Sequence, residues 1–177
     1  MRSSGPDPFA ALDLPVRYDV DTAALEERFR ERSREVHPDR FVGASAAERA
    51  KALVATRALN DAFQVLRRPA RRAEAVLAGY GVVISDREPL EPAFLMEILD
   101  LREELAAARA AGATADVTRL AGTMRARQRA LLDGLAPQFA RLTGGDDAAV
   151  LATIKRDLIT LRYVDRYLDE CDAALDD

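Results

Sequence analysis

The sequence predicts an all-α protein in which a helical hairpin precedes a three-helix bundle. Apolar residues recur at intervals of three and four, and no stretch shows the alternation typical of a strand. The 177 residues are 49% hydrophobic and 32% charged, which suits one ordinary domain or two small ones. A stretch that contains prolines and shows no helical periodicity separates the two halves of the chain. We therefore expect an N-terminal domain at 8–79, a linker at 80–91 and an antiparallel bundle at 92–175.

The hairpin is expected to begin with a short apolar helix over 8–14 and to continue with a longer helix over 21–36. Asp21 offers N-cap chemistry for the longer helix. Arg32 falls on its inner face, where its stem can lie along the edge of the core while the guanidinium stays in water. The apolar residues of that face are Leu25, Phe29 and Val36.

A third helix is predicted over 45–66, and a fourth, shorter helix follows it. Ser45 and Glu48 have the spacing of a capping box at the start of the third helix. Pro69 suits the first turn of the fourth helix. The residues expected to face inward are Ala52, Ala55, Leu59, Ala62, Phe63 and Leu66 in the third helix and Ala73, Val76, Leu77 and Tyr80 in the fourth.

The bundle is expected to consist of helices over 92–111, 115–142 and 146–175, separated by glycines. Pro137 should bend or break the second of them near its end. Each helix carries one apolar stripe. The stripes are Phe94, Ile98, Leu101, Leu105 and Ala108; Val117, Leu120, Met124, Leu131, Leu135, Phe139 and Leu142; and Val150, Ile154, Leu158, Leu161, Val164, Leu168 and Leu175.

Two bundle helices carry further large apolar or aromatic residues that lie off these stripes. In the first helix they are Leu95, Met96 and Leu99, bordered by the acidic Asp100, Glu103 and Glu104. In the third helix they are Ile159, Tyr163 and Tyr167. A small bundle does not need these residues inside. They indicate either packing against the N-terminal domain or another molecule, or a partner-binding patch with an acidic rim.

The only histidine lies in the tripeptide His37-Pro38-Asp39, between two predicted helices. Proline disfavours helical geometry in the residue before it, so the tripeptide is expected to form an exposed turn. The Asp39 carboxylate can stiffen such a turn by accepting backbone amides. Taken alone, the tripeptide is also compatible with an ordinary helix–helix loop.

The preceding helix carries Arg28, Arg30, Arg32 and Arg34 among Glu26, Glu27, Glu31 and Glu35. Composition alone favours a solvated, salt-bridged surface there.

Several function classes lack their usual signals. The net charge of −4 and pI of about 5.2 argue against nucleic acid as the main partner. The single cysteine, Cys171, allows neither an internal disulfide nor a four-cysteine zinc site. No nucleophile accompanies His37, and neither a phosphate loop nor a metal-ligand cluster is present, so we expect neither catalysis nor a cofactor. No signal core or membrane span is found, which favours the cytoplasm.

The order and spacing of several motifs resemble a J-domain. The matching residues are Phe9 to Leu14, Leu25, Phe29, His37-Pro38-Asp39, Leu59-Asn60, Ala62-Phe63 and Leu66. Within the J-domain proteins, Arg68 to Glu74 and Ala93 to Glu97 are similar to the HscB type, the co-chaperones of iron–sulfur cluster assembly. The resemblance extends from about Phe9 to the last helix.

The resemblance implies two binding surfaces and no active site. A J-domain stimulates the ATPase of a DnaK-type chaperone, here of the HscA kind, and the bundle holds the cluster scaffold protein, IscU. The residues implied in chaperone binding are His37, Pro38, Asp39, Arg28 and Arg34. Those implied in scaffold binding are Leu95, Met96, Leu99, Asp100, Glu103 and Tyr163. The alternatives are a general J-domain co-chaperone with another client, a structural helical module in which the tripeptide is accidental, and an enzyme.

Overall fold

The computed structural model describes residues 7–85, 87–144 and 147–176. Within these ranges the structure is helical and contains no strand, which confirms the predicted all-α class. The helices are α1 (Pro8–Ala11), α2 (Thr22–Val36), a 3₁₀-helix (Pro38–Phe41), α3 (Ala46–Leu66), α4 (Pro69–Gly79), α5 (Pro92–Ala110), α6 (Thr114–Ala140) and α7 (Ala148–Asp176). The chain divides into two compact units, Met1–Val83 and Ile84–Asp177.

Helices α2 and α3 form the antiparallel hairpin of the first unit. The rings of Phe29 and Phe63 stack with their centroids 4.2 Å apart, and the Thr56 hydroxyl donates to the Val36 carbonyl at 3.0 Å. The predicted capping box at the start of α3 is present. The core of the unit is formed by Phe9, Leu12, Tyr18, Leu25, Ala52, Leu59, Ala62, Leu66, Ala73, Val76 and Leu77.

Two side chains at the edge of this unit show how local geometry sets exposure. Arg32 is half-buried, as expected, and its Nη1 reaches Glu35 at 2.8 Å, but its Nε is buried and has no hydrogen-bond partner among the described residues. Tyr80, which we expected to face inward, is 47% exposed. It is the C-cap of α4, and Gly81 follows with a φ of +78°. This left-handed residue ends the helix, so Tyr80 lies at the exposed C-terminal end of α4.

The three helices of the second unit bury the predicted stripes. Most stripe residues are buried, and Leu101, Leu131, Phe139, Leu142, Val150 and Leu175 are half-buried. Helix α6 continues through Pro137 without interruption. Asp146, the expected first residue of the last helix, lies outside the described residues. Asp147 is buried, and its carboxylate accepts the backbone amides of Thr143 at 3.1 Å and Gly144 at 2.9 Å, which ties the end of one helix to the start of the next.

The prediction that Ile159 and Tyr167 lie outside the core is wrong. Tyr167 is 0% exposed, and its hydroxyl donates to the Leu101 carbonyl of α5 at 3.0 Å. Ile159 is also buried. Close to it on α7, Lys155 pairs with Glu88 at 3.0 Å and Arg162 donates to the Ser85 carbonyl at 3.1 Å, so Ser85 and Glu88 lie against this part of α7. Lys155, Ile159 and Arg162 share one face of α7.

Candidate functional site

The His37-Pro38-Asp39 tripeptide forms a turn whose backbone is ordered by its own side chains. His37 is the C-cap of α2 in an extended conformation, and a 3₁₀-turn starts at the next residue. The His37 ring accepts the Asp39 amide through Nδ1 at 3.3 Å, and the Asp39 carboxylate lies 3.4 Å from the same nitrogen. We expected the Asp39 carboxylate to be the acceptor. The imidazole takes this place because it stands directly over the amide at the N-cap position of the 3₁₀-turn.

The helices on both sides hold the turn in position. The hydrogen bond from Thr56 to the Val36 carbonyl ties the last residue of α2 to α3. The Arg40 guanidinium reaches back to the Arg34 carbonyl at 3.4 Å. All three side chains of the tripeptide remain exposed. The backbone is therefore restrained while its side chains make no contribution to the core.

The two predicted arginines of α2 differ in how free their charges are. Arg28 is bound to Asp13 and to Glu31, each at 3.1 Å. Arg34 is exposed and forms no ion pair within the described part of the chain. At about 100° per residue, Arg28 lies roughly 120° around the helix from Arg34, whereas Arg30 lies on the same side as Arg34. Sequence reasoning passed over Arg30, although its spacing of four residues from Arg34 was a sufficient signal.

The outer face of α5 carries the other candidate site. Leu95, Met96 and Leu99 are 44%, 59% and 45% exposed. They are the only large apolar side chains in the described part of the second unit that are exposed to this degree. Asp100 and Glu103 are exposed beside them and have no ion-pair partner among the described residues. The face is therefore apolar with uncompensated carboxylates at its C-terminal side.

Tyr163 is placed differently from the other predicted scaffold-binding residues. It lies on α7, half-buried against the core cluster of the bundle. The Arg166 guanidinium lies 5.4 Å from the centre of its ring. Only part of the ring is therefore available at the surface.

Two titratable groups in the core of the bundle, Cys171 and Tyr167, are structural. Burial raises the pKa of the Cys171 thiol and also raises the pKa of the neighbouring Tyr167 hydroxyl. A thiol that is held protonated in the core is a poor nucleophile. Among the described residues, no group of three His, Cys, Asp or Glu side chains is placed to hold a metal ion, and no helix is long and apolar enough to cross a bilayer.

Comparison with known proteins identifies the family. A family model described as the HSCB C-terminal oligomerisation domain matches residues 90–172. A co-chaperone protein HscB homolog of Ralstonia nicotianae is 37% identical over 180 residues, which cover 100% of both chains. A homolog of the same description from Azoarcus sp. is 33% identical and covers 96% of this chain and 94% of its own. The chain belongs to the HscB family of co-chaperones.

Solved HscB structures share the fold. Chaperone HscB from Vibrio cholerae superposes with a TM-score of 0.79 at 29% identity and covers 97% of this chain and 98% of its own. Human co-chaperone HscB superposes with a TM-score of 0.80 at 25% identity and covers 97% and 83%. The predicted family and the predicted combination of a J-domain with a helical bundle are confirmed. The predicted function, that of a co-chaperone in iron–sulfur cluster assembly, is confirmed with them.

Proposed function

We propose that this HscB-family chain stimulates the ATPase of a DnaK-type chaperone of the HscA kind through His37-Pro38-Asp39. We further propose that the second unit presents an iron–sulfur scaffold protein of the IscU kind, held on the outer face of α5, and that both events take place in the cytoplasm. The observation that carries the proposal is the tripeptide itself, since its backbone is restrained while its three side chains are exposed to a partner.

A restrained turn favours binding to a partner. A flexible loop would lose conformational entropy when it docks, and this loss would weaken the complex. The His37–Asp39 hydrogen bond and the tie between Thr56 and Val36 remove part of that cost before the partner arrives. The three side chains do not contribute to the core, so they are available for contacts with the partner.

The charges on α2 suit an acidic partner surface. Arg30 and Arg34 are exposed on one side of the helix that leads into the turn. Positive charges on a rigid helix attract an acidic surface and accelerate the encounter. Arg28 is expected to contribute less, because its bonds to Asp13 and Glu31 already compensate its charge and would have to be shared or broken.

The α5 face suits a protein client with an apolar patch and a basic border. Central apolar anchors of an interface typically contribute about 2 kcal/mol or more each. Leu95, Met96 and Leu99 lie within about one turn of each other and can form one such centre. Asp100 and Glu103 then face the basic border of the client.

Two other occupants of that face follow from specific observations. The family model that matches this region is described as an oligomerisation domain, so a second copy of the chain is one candidate. A different client of a general J-domain co-chaperone is the other, because an exposed apolar face with an acidic border fits any protein with a complementary patch.

The turn is tested by His37→Gln in a steady-state ATPase assay with the purified HscA-type chaperone. We expect stimulation to be lost while helicity and melting temperature stay near those of the wild type, because His37 is exposed. Val54→Ala is a suitable control, since it removes an exposed apolar side chain elsewhere on the hairpin. Normal stimulation by His37→Gln, or a cooperative loss of fold, would contradict the proposal.

The α5 face is tested by replacing Leu95, Met96 and Leu99 together with alanine. Titration calorimetry with the IscU-type scaffold should show affinity at least about a hundredfold weaker, since each 1.4 kcal/mol corresponds to a factor of ten. ATPase stimulation by the variant alone should persist. Unchanged scaffold affinity would exclude this face as the scaffold site. If sedimentation also showed self-association only in the wild type, the second copy would be its occupant.

A further inference from the structure

Helix α3 exposes two large apolar side chains at adjacent positions in the first unit. Leu53 is 65% exposed and Val54 is 69% exposed. Adjacent residues of a helix point about 100° apart, so the two side chains face different sides of the hairpin. Their different surroundings allow one of them to be assigned to an interface and the other to serve as its control.

Leu53 lies on the same side of the hairpin as the tripeptide. The stacked pair of Phe29 and Phe63 and the Thr56 hydrogen bond mark the edge along which α2 and α3 meet on that side. On α3, Leu53 is one turn before Thr56 and is turned outward from this edge. On α2, steps of four residues lead from Phe29 outward to His37.

Leu53 also lies at the level of the tripeptide along the hairpin. Thr56 is level with Val36, the last residue of α2. Because the helices are antiparallel, moving back three residues on α3 advances about 4.5 Å beyond the end of α2. The 3₁₀-turn Pro38–Phe41, which starts two residues after Val36, also packs against α3.

Val54 points about 100° away from Leu53, away from the edge at which Phe29 meets Phe63. It lines a shallow surface depression together with Ala50, Lys51, Ala55 and Ala58. On the wheel of α3, Lys51, Ala55 and Ala58 lie within about 40° of the buried Ala62, on the side where Arg28 of α2 binds Asp13 after α1, and Val54 points outward next to them. Val54 therefore does not share a surface with Arg34 and His37.

We propose that Leu53 is an apolar anchor of the chaperone-binding surface, which it extends from the tripeptide onto α3. This inference rests on the proposed function of the tripeptide. The combined surface has an apolar side chain beside the exposed histidine and the free charges of Arg30 and Arg34. The matching surface of the chaperone must then present an apolar hollow bordered by carboxylates. The hollow is needed because an apolar side chain contributes to binding only when it is buried, and the carboxylates are needed to pair with the arginines.

The test compares Leu53→Ala with Val54→Ala and His37→Gln in the full-length protein. ATPase stimulation of the purified HscA-type chaperone is measured as a function of co-chaperone concentration. Leu53→Ala should raise the half-maximal concentration about five- to tenfold, as expected for loss of an anchor worth more than about 1 kcal/mol. Maximal stimulation should stay near the wild-type value because the tripeptide is intact. Val54→Ala should leave both quantities within about twofold of the wild type.

The outcomes separate this inference from the function on which it rests. If His37→Gln abolishes stimulation but Leu53→Ala behaves like Val54→Ala, the tripeptide binds the chaperone and Leu53 does not. If Leu53→Ala and Val54→Ala raised the half-maximal concentration equally, the assignment would also be overturned, because the effect would not depend on the side of the hairpin. If His37→Gln stimulates normally, the proposed function fails as well. Both alanine changes are at exposed helical positions, where alanine is well tolerated, so all variants are expected to fold.

Discussion

Helices α5 and α7 carry the same sequence anomaly, and the structure resolves it in opposite ways. Each has large apolar or aromatic residues that lie off its main stripe. On α5, Leu95, Met96 and Leu99 stay exposed. On α7, Ile159 and Tyr167 are buried. Surplus apolar residues on a helix therefore indicate that something covers them, but not whether the cover belongs to the same chain.

The cover on α7 comes from a region that looks like a linker in the sequence. Ser85 and Glu88, which precede α5, bind Arg162 and Lys155 of α7. Helix α5 itself accepts the Tyr167 hydroxyl on its Leu101 carbonyl. The outer face of α5 lies away from these contacts. This difference leaves α5 with the candidate binding surface of the bundle.

Tyr167→Ala should give the largest difference in stability between a change on α7 and a change on α5. Truncating a large buried ring typically costs about 3–5 kcal/mol, whereas a change at an exposed position such as Met96→Ala should cost less than about 0.5 kcal/mol. Hydrogen exchange read by mass spectrometry in increasing urea reports the second unit separately from the first. Similar losses for Tyr167→Ala and Met96→Ala would mean that the faces are not covered differently.

Ile159→Ala tests the cover provided by the segment before α5. Removal of this buried side chain should destabilise the second unit by about 2–4 kcal/mol, and Leu99→Ala is the matched control on α5. The loss should be accompanied by faster exchange in peptides that include Ser85, because Ser85 and Glu88 are bound to the face of α7 that carries Ile159. A stability loss without faster exchange in this segment would place the cover elsewhere.

Tyr167→Phe removes only the hydroxyl and should have a smaller effect. The Leu101 carbonyl loses its side-chain donor while the ring still fills the core, so we expect a loss of about 1 kcal/mol. The same urea series measures it. A loss as large as that of Tyr167→Ala would show that the hydrogen bond, not the ring, holds α7 against α5.

Compared with the three substitutions above, alkaline pH should lower the stability of the second unit by the smallest amount. Burial raises the pKa of Cys171 and of Tyr167, so each group ionises more readily in the unfolded chain than in the folded one. Their contribution is complete below the unfolded pKa of cysteine, about 8.5, and is lost as the pH rises above it. Urea midpoints of the second unit between about pH 7.5 and pH 10.5 should fall, and less steeply in Cys171→Ala. An identical slope in that variant would exclude the thiol as a contributor.

Much of the fold could be predicted because its signals are local. The capping box at Ser45 and Glu48, the N-cap Asp21 and the proline at the start of α4 act within one helical turn. They place helix starts within one or two residues. The apolar stripes predicted the core of the bundle for the same reason, since periodicity along one helix needs no knowledge of its neighbours.

The candidate sites were predictable in part. The exposed turn and the exposed α5 face follow from periodicity and from the resemblance to the HscB family. Arg30 was missed as a site residue because the resemblance to the J-domain pattern implied only Arg28 and Arg34 among the arginines of this helix. Tyr163 was grouped with the exposed face of α5, but its half-burial on α7 depends on which helices pack against it.

The sequence alone therefore determined the helices, their core stripes, the exposed turn and the family of this chain. The tertiary structure alone decided which surplus faces are covered and which charges are free. The reason is the distance along the chain at which each interaction acts. Caps and stripes join residues a few positions apart, whereas Arg28 finds Asp13 across 15 positions and Tyr167 finds Leu101 across 66. Partners so distant are brought together only by the packing of whole helices.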